Sequence, residues 1–101
     1  MTATINASTS SGIVSTADNS GILQLQTANT AALTIDASQN TTSAGWIRFP
    51  VYTVAALPAA GTAGRRAFVS NALTPVVLSA VVGGGAVTVP VFDNGSSWIV
   101  G

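Results

Sequence analysis

The chain has 101 residues, and only 6% of them are charged, against roughly 25% in an average soluble protein. The six charges are Asp18, Asp36, Asp93, Arg48, Arg65 and Arg66; they cancel, and there is no His, Cys, Lys or Glu. Imidazole proton shuttles, thiol nucleophiles, Schiff-base lysines and Cys/His zinc sites are therefore excluded. The expectation is a non-enzymatic protein without cofactor or metal.

Taken in order, residues 1–45 form a Ser/Thr-rich β region. They contain no aromatic residue and no proline, but 16 Ser or Thr. Short strands are expected at Thr4–Asn6, Ile13–Ser15, Ile22–Gln26 and Ala32–Asp36. In Leu23-Gln24-Leu25-Gln26 the leucines face one way and the glutamines the other. Asp18-Asn19-Ser20-Gly21 and Thr27-Ala28-Asn29-Thr30 read as turns. The region also holds an approximate repeat. Thr4-Ile5-Asn6-Ala7-Ser8 returns as Thr34-Ile35-Asp36-Ala37-Ser38, and each copy leads to a glycine and two apolar residues, Gly12-Ile13-Val14 and Gly45-Trp46-Ile47. A strand, a turn and a second strand is the unit implied.

These strands each offer about two large side chains. Burying one is worth ~1.5–3 kcal/mol, while fixing one residue's backbone costs ~1–2 kcal/mol. An isolated copy of this half lacks the burial it needs, and intertwining of several chains would supply it. Ile22, Leu23, Leu25, Leu33, Ile35 and Trp46 are the side chains expected at such an interchain core.

Residues 46–101 hold all six aromatics, all four prolines, all three arginines and eleven of the twelve valines. Strands are expected at Val51–Ala55, Ala67–Asn71, Val76–Val82, Ala86–Phe92 and Trp98–Val100, giving a small β-sandwich or open barrel. Gly83-Gly84-Gly85 joins two valine-rich strands. Asn94-Gly95 suits a tight hairpin turn, which needs positive φ. Pro90 marks an edge or a bulge, and Val87, Val89 and Val91 share the expected core face. Val76 to Phe92 is apolar enough to suggest a membrane span, but the triple glycine, Pro90 and the lack of closely flanking cations argue against one.

Candidate sites are few. Gly61-Thr62-Ala63-Gly64 and the triple glycine lack the Lys-Ser/Thr of a phosphate loop. Asp18 and Asp36 lack calcium ligands at alternating positions. Arg65-Arg66 is the only dense charge, and either a partner contact or a stack over Phe68 or Tyr52 suits it. Three arginines and zero net charge leave no cationic surface for nucleic acid. Asn6-Ala7-Ser8, Asn40-Thr41-Thr42 and Asn94-Gly95-Ser96 match the glycosylation triplet, as chance allows in a chain so rich in Ser and Thr. Trp46, Tyr52 and Trp98 suit either a core or a sugar-binding surface, the latter in a monomeric carbohydrate-binding module.

Two stretches of the second half, Tyr52 to Pro58 with Ala63 to Ala72, and Val81 to Val87 with Pro90 to Trp98, resemble a small β module of tailed-bacteriophage virion proteins. Such modules occur in tail fibres, head fibres and capsid-decoration proteins. Upstream, Leu33-Thr34-Ile35-Asp36-Ala37-Ser38-Gln39-Asn40 resembles a phage-fibre shaft motif. The resemblance implies an all-β, intertwined homotrimer without enzymatic activity, its N-terminal half β-prism or triple-β-like. With no long shaft and no separate receptor-binding head, the chain fits a compact trimeric knob. The expected place is the capsid exterior, as a decoration or cement protein contacting the major capsid protein. The N-terminus has no signal-peptide pattern, so synthesis in the host cytoplasm is expected. The same-class alternative is a short tail or collar fibre, an adhesin module contacting host glycan. Neither membrane nor nucleic acid is an expected partner.

Overall fold

The structure is a computed structural model and describes residues 2–101. It is all-β, with two mixed sheets, neither of them closed. The chain forms two compact units, Met1–Ile47 and Arg48–Gly101.

The first unit is a five-stranded sheet. Its strands are β1 (Ala3–Ser8), β2 (Gly12–Thr16), β3 (Leu23–Thr27), β4 (Thr30–Ile35) and β5 (Thr41–Ser43), in the order β2-β1-β3-β4-β5. β1 and β2, β3 and β4, and β4 and β5 are antiparallel neighbours; β1 and β3 run parallel. Local side chains set the turns. The Ser8 hydroxyl accepts from the Ser10 and Ser11 amides after β1. The Asp36 carboxylate accepts from the Ser38 and Asn40 amides after β4. Between β3 and β4 only Ala28 and Asn29 intervene, both left-handed (φ 49° and 64°). That is the two-residue turn whose twist matches a hairpin.

Partners across a ladder point to the same face. One face of this sheet therefore carries Ile5, Ile13, Leu23, Leu25, Leu33 and Ile35, and the other carries Thr4, Asn6, Gln24, Gln26 and Thr34. Burial does not follow hydropathy, although Leu33 and Ile35 are half-buried on the apolar face and Val14 is half-buried opposite Asn6 on the other. Asn6 is 6% exposed, whereas Ile5 is 46% and Ile13 72% exposed. The polar face is linked to itself. The Asn6 amide donates to Asn29 Oδ1 (2.7 Å), and the Asn29 backbone N–H donates back to Asn6 Oδ1 (3.1 Å). Gln24 Oε1 accepts from Thr2 and Gln26, and Gln24 Nε2 donates to Thr34.

The second unit has a four-stranded sheet: β6 (Val51–Tyr52), β7 (Arg66–Ala72), β8 (Val87–Asp93) and β9 (Trp98–Val100), in that order. β6 and β7 are parallel and the other pairs antiparallel. Register places Tyr52, Ala67, Val69, Val89, Val91 and Val100 on one face. Ala67, Val69, Ala72 and Val91 are fully buried, with Val54, Leu57 and Val81 packed over them. Val54 and Leu57 come from a short 3₁₀ turn (Val54–Ala56) and the residue after it. Gly85 lies so close to the backbone of Ala72 and Leu73 that a Cβ would fall 2.8 Å from Leu73 Cα.

Several expectations change here. The second unit is not a sandwich: among the described residues it has one open four-stranded sheet, covered by loops. The expected strand Val51–Ala55 ends at Tyr52, and the 3₁₀ turn begins two residues on, at Val54. The expected strand Val76–Val82 is a turn followed by a single bridge, Ala80 to Ile99. Left-handed φ at Thr74 (46°) and Leu78 (68°) breaks it despite its valines. Val91 is buried, but Val87 on the same strand is exposed, so the core occupies only one end of that face. Asn94-Gly95 sits in a four-residue loop between the paired Asp93 and Trp98, with positive φ at Gly95 alone. The repeat is not structural throughout. Asn6 lies mid-strand and buried, whereas Asp36 opens a turn, and Gly45-Trp46-Ile47 forms no strand.

Candidate functional site

The most organised chemistry in the second unit converges on Asp93, the last residue of β8. Its side chain is fully buried. Oδ1 accepts from the backbone N–H of Gly95 (2.8 Å), and Oδ2 accepts from those of Gly61 (3.0 Å) and Thr62 (2.9 Å). Arg65 Nη2 donates to Oδ2 at 2.6 Å and to Ala59 O at 2.8 Å. Burial alone would raise the Asp93 pKa. The arginine and the three amides outweigh it and hold the carboxyl well below the usual range.

This one carboxylate ties the loop before β7 to the β8–β9 hairpin. Two backbone bonds run beside it, Gly64 N–H to Asp93 O and Asp93 N–H to Arg65 O. The guanidinium of Arg65 lies over Trp98, its Cζ 5.1 Å from the ring centroid. The negative face of the indole favours a cation there, and Arg65 Nε, buried without a hydrogen-bond partner, lies in the same guanidinium. Trp98 Nε1 donates to Pro58 O at 2.7 Å, which closes the ring of contacts.

Beside this network is a cleft of about 240 Å³ lined by Pro50, Tyr52, Pro58, Arg65, Arg66, Ala67 and Trp98. Asp93 neutralises Arg65, whereas Arg66 is exposed and pairs with no carboxylate among the described residues. The cleft thus has rigid apolar walls, two aromatic side chains and one uncompensated positive charge. The Tyr52 hydroxyl is the one uncharged polar side-chain group among its lining besides the Trp98 indole N–H.

The expected site residues are dispersed in kind. Arg65 stacks over Trp98 rather than Phe68 or Tyr52 and is held within its own chain. Arg66 stays open. In the first unit Leu23, Leu25 and Trp46 are exposed, Trp46 at 98%, while Ile22, Leu33 and Ile35 are half-buried. Asp18 and Asp36 hold separate turns, and each has a lowered pKa, mainly through the side chains of Ser20 and Asn40 respectively. Among the described residues no three acidic groups gather as metal ligands, and no helix is long and apolar enough to cross a membrane.

Beside the Asn94-Gly95 turn, nothing local in the sequence marks Asp93 as buried. The available signal was arithmetic. With three acids and three arginines in the chain, a buried carboxylate had only three cations to pair with, and Arg65 follows a glycine-rich loop able to supply amides.

Comparison with known proteins adds no relative: no family model, no curated protein and no solved structure matches the chain.

Proposed function

We propose that the chain is a non-enzymatic structural protein of a bacteriophage particle. It assembles as an intertwined homotrimer and serves as a decoration, or cement, knob on the capsid exterior, bridging capsid subunits. The observation that carries the assembly is the inverted N-terminal sheet, with a polar face satisfied within the chain and an apolar face left open. Such a face is stable when other chains cover it. Near absence of charge suits close packing of chains, because no ion is stranded at the buried surface. The virion assignment rests on the resemblance of the second half and of Leu33–Asn40 to phage fibre and decoration modules.

Two measurements test this reading. Mass in solution should give a trimer, and a stable, fully folded monomer would refute it. Copy number per particle should be high and match capsid symmetry sites. A protein present in a few copies that leaves with the tail would instead be a fibre.

That second reading, a tail or collar fibre contacting host glycan, is favoured by the cleft between Tyr52, Trp98 and Arg66. Aromatic walls with one open guanidinium suit a sugar residue bearing a carboxylate. Glycan-array binding by the isolated protein would move the assignment from capsid to fibre.

A further inference from the structure

The loop Asn94–Ser97 contains the sequence most prone to spontaneous deamidation, an asparagine followed by glycine. The reaction needs the backbone nitrogen of residue n+1. Deprotonated, it attacks Cγ of the asparagine. The new C–N bond closes a succinimide, the Cγ–Nδ2 bond breaks, and the side-chain nitrogen departs as ammonia after taking up the proton. Water then opens the ring to aspartate or isoaspartate. Glycine at n+1 leaves that nitrogen least hindered.

Asn94 is exposed, and its carboxamide is already held in place. Oδ1 accepts from the Ser96 and Ser97 backbone N–H groups, both at 2.9 Å. Two fixed donors on that oxygen would stabilise the negative charge that develops there during attack. Those two donors favour ring closure, and a third contact opposes it. The Gly95 N–H, whose nitrogen must attack, donates to Asp93 Oδ1 at 2.8 Å. A proton held by a carboxylate is harder to remove, and the nitrogen anion left behind would face that carboxylate. Asp93 cannot easily turn away, because Arg65, Gly61 and Thr62 hold its other oxygen.

We propose that Asn94-Gly95 is a latent deamidation site, held shut by the grip of Asp93 on the Gly95 amide. Conversion there would add a carboxylate next to Asp93 and, in the isoaspartyl form, an extra backbone atom in the β8–β9 loop. The site would then act as a record of how long, or how often, this hairpin has been open. The inference stands apart from the virion reading, since it concerns only the chemistry of one loop.

The full-length protein is aged at mildly alkaline pH, native and in denaturant, and peptide mass mapping follows acid formation at Asn94. A hydrogen bond to a charged acceptor must be given up before attack, so Asn94 should convert roughly ten- to a hundredfold more slowly in the native protein. Asp93→Ala, where circular dichroism shows it folded, should raise the Asn94 rate towards the denatured value. Equal rates in native and denatured protein overturn the proposal. So does a folded Asp93→Ala protein that ages no faster than wild type. Should Asp93→Ala fail to fold, the native-to-denatured comparison decides.

Discussion

The two sheets spend similar strand lengths on opposite arrangements. In the N-terminal sheet Leu23 and Leu25 are exposed, while Gln24, Gln26 and Asn6 are the better-covered side chains. In the C-terminal sheet Val69 and Val91 have no exposure, and the polar loop residues lie outside. The second unit closes its apolar face with its own loops, fastened by a buried carboxylate that pairs with a part-exposed arginine. In the first the apolar face stays open, and its longest connection, 17–22 between β2 and β3, is six residues. The first sheet leaves an apolar face open, whereas the second covers its sheet face and exposes apolar side chains on its loops instead, at Leu73, Val76, Val77, Leu78 and Val82.

That contrast can be broken from either side. Leu25→Asp should have the largest effect. It places an unpaired charge where other chains are proposed to pack, and should weaken assembly by roughly a hundredfold or more. Sedimentation would show the loss of the proposed trimer, while hydrogen-exchange protection of β7 and β8 should stay native because the second unit keeps its core. Loss of both signals together would mean that the units are not independent.

Asp93→Ala should do the reverse and give the largest fall in melting temperature within the second unit, since Arg65 and three amides lose their acceptor together. Acid should act in the same direction. The folded Asp93 pKa lies below its ordinary value of 3.8, so its contribution is complete above that value and is lost as pH falls below it. Thermal melts should therefore be flat from neutrality to about pH 5 and decline below about pH 4. A decline already present near pH 6 would contradict this assignment.

Val69→Ala removes two methyl groups from the closed core and should cost about 2–3 kcal/mol in urea unfolding, with assembly unchanged. The smallest effect should be a gain. Ala28 occupies left-handed backbone that suits glycine, and Ala28→Gly should stabilise the first unit by about 1 kcal/mol. A loss of stability on that change would show that the Ala28 methyl makes a contact worth more than the strain.

Alternation made much of the first unit legible. Leu23-Gln24-Leu25-Gln26 announced its two faces, and Thr27-Ala28-Asn29-Thr30 its turn. Pairing was not legible. Nothing local says that β1 runs parallel to β3, because a parallel pair is joined through distant chain rather than a turn. Valine content misled at Val76–Val82, where Pro75 and two left-handed residues override β propensity. The site was hidden for a related reason. Asp93 looks like a turn former beside Asn94-Gly95, and its burial depends on Arg65, 28 residues away.

The topology of the first sheet also bears on how it forms. Three of its four pairings join strands consecutive in the chain, and only the β1–β3 seam bridges a long interval. Local pairings close with little loop entropy and form early. In the second unit β7 and β8 are separated by residues 73–86, and β6 reaches β7 through residues 53–65. Pulse-labelled hydrogen exchange should therefore protect the β3–β4 hairpin before the β7–β8 pair, and simultaneous protection would refute that order. The half proposed to pack against other chains would be first to take shape, and for an interval each chain would present its open apolar face before its second half had closed.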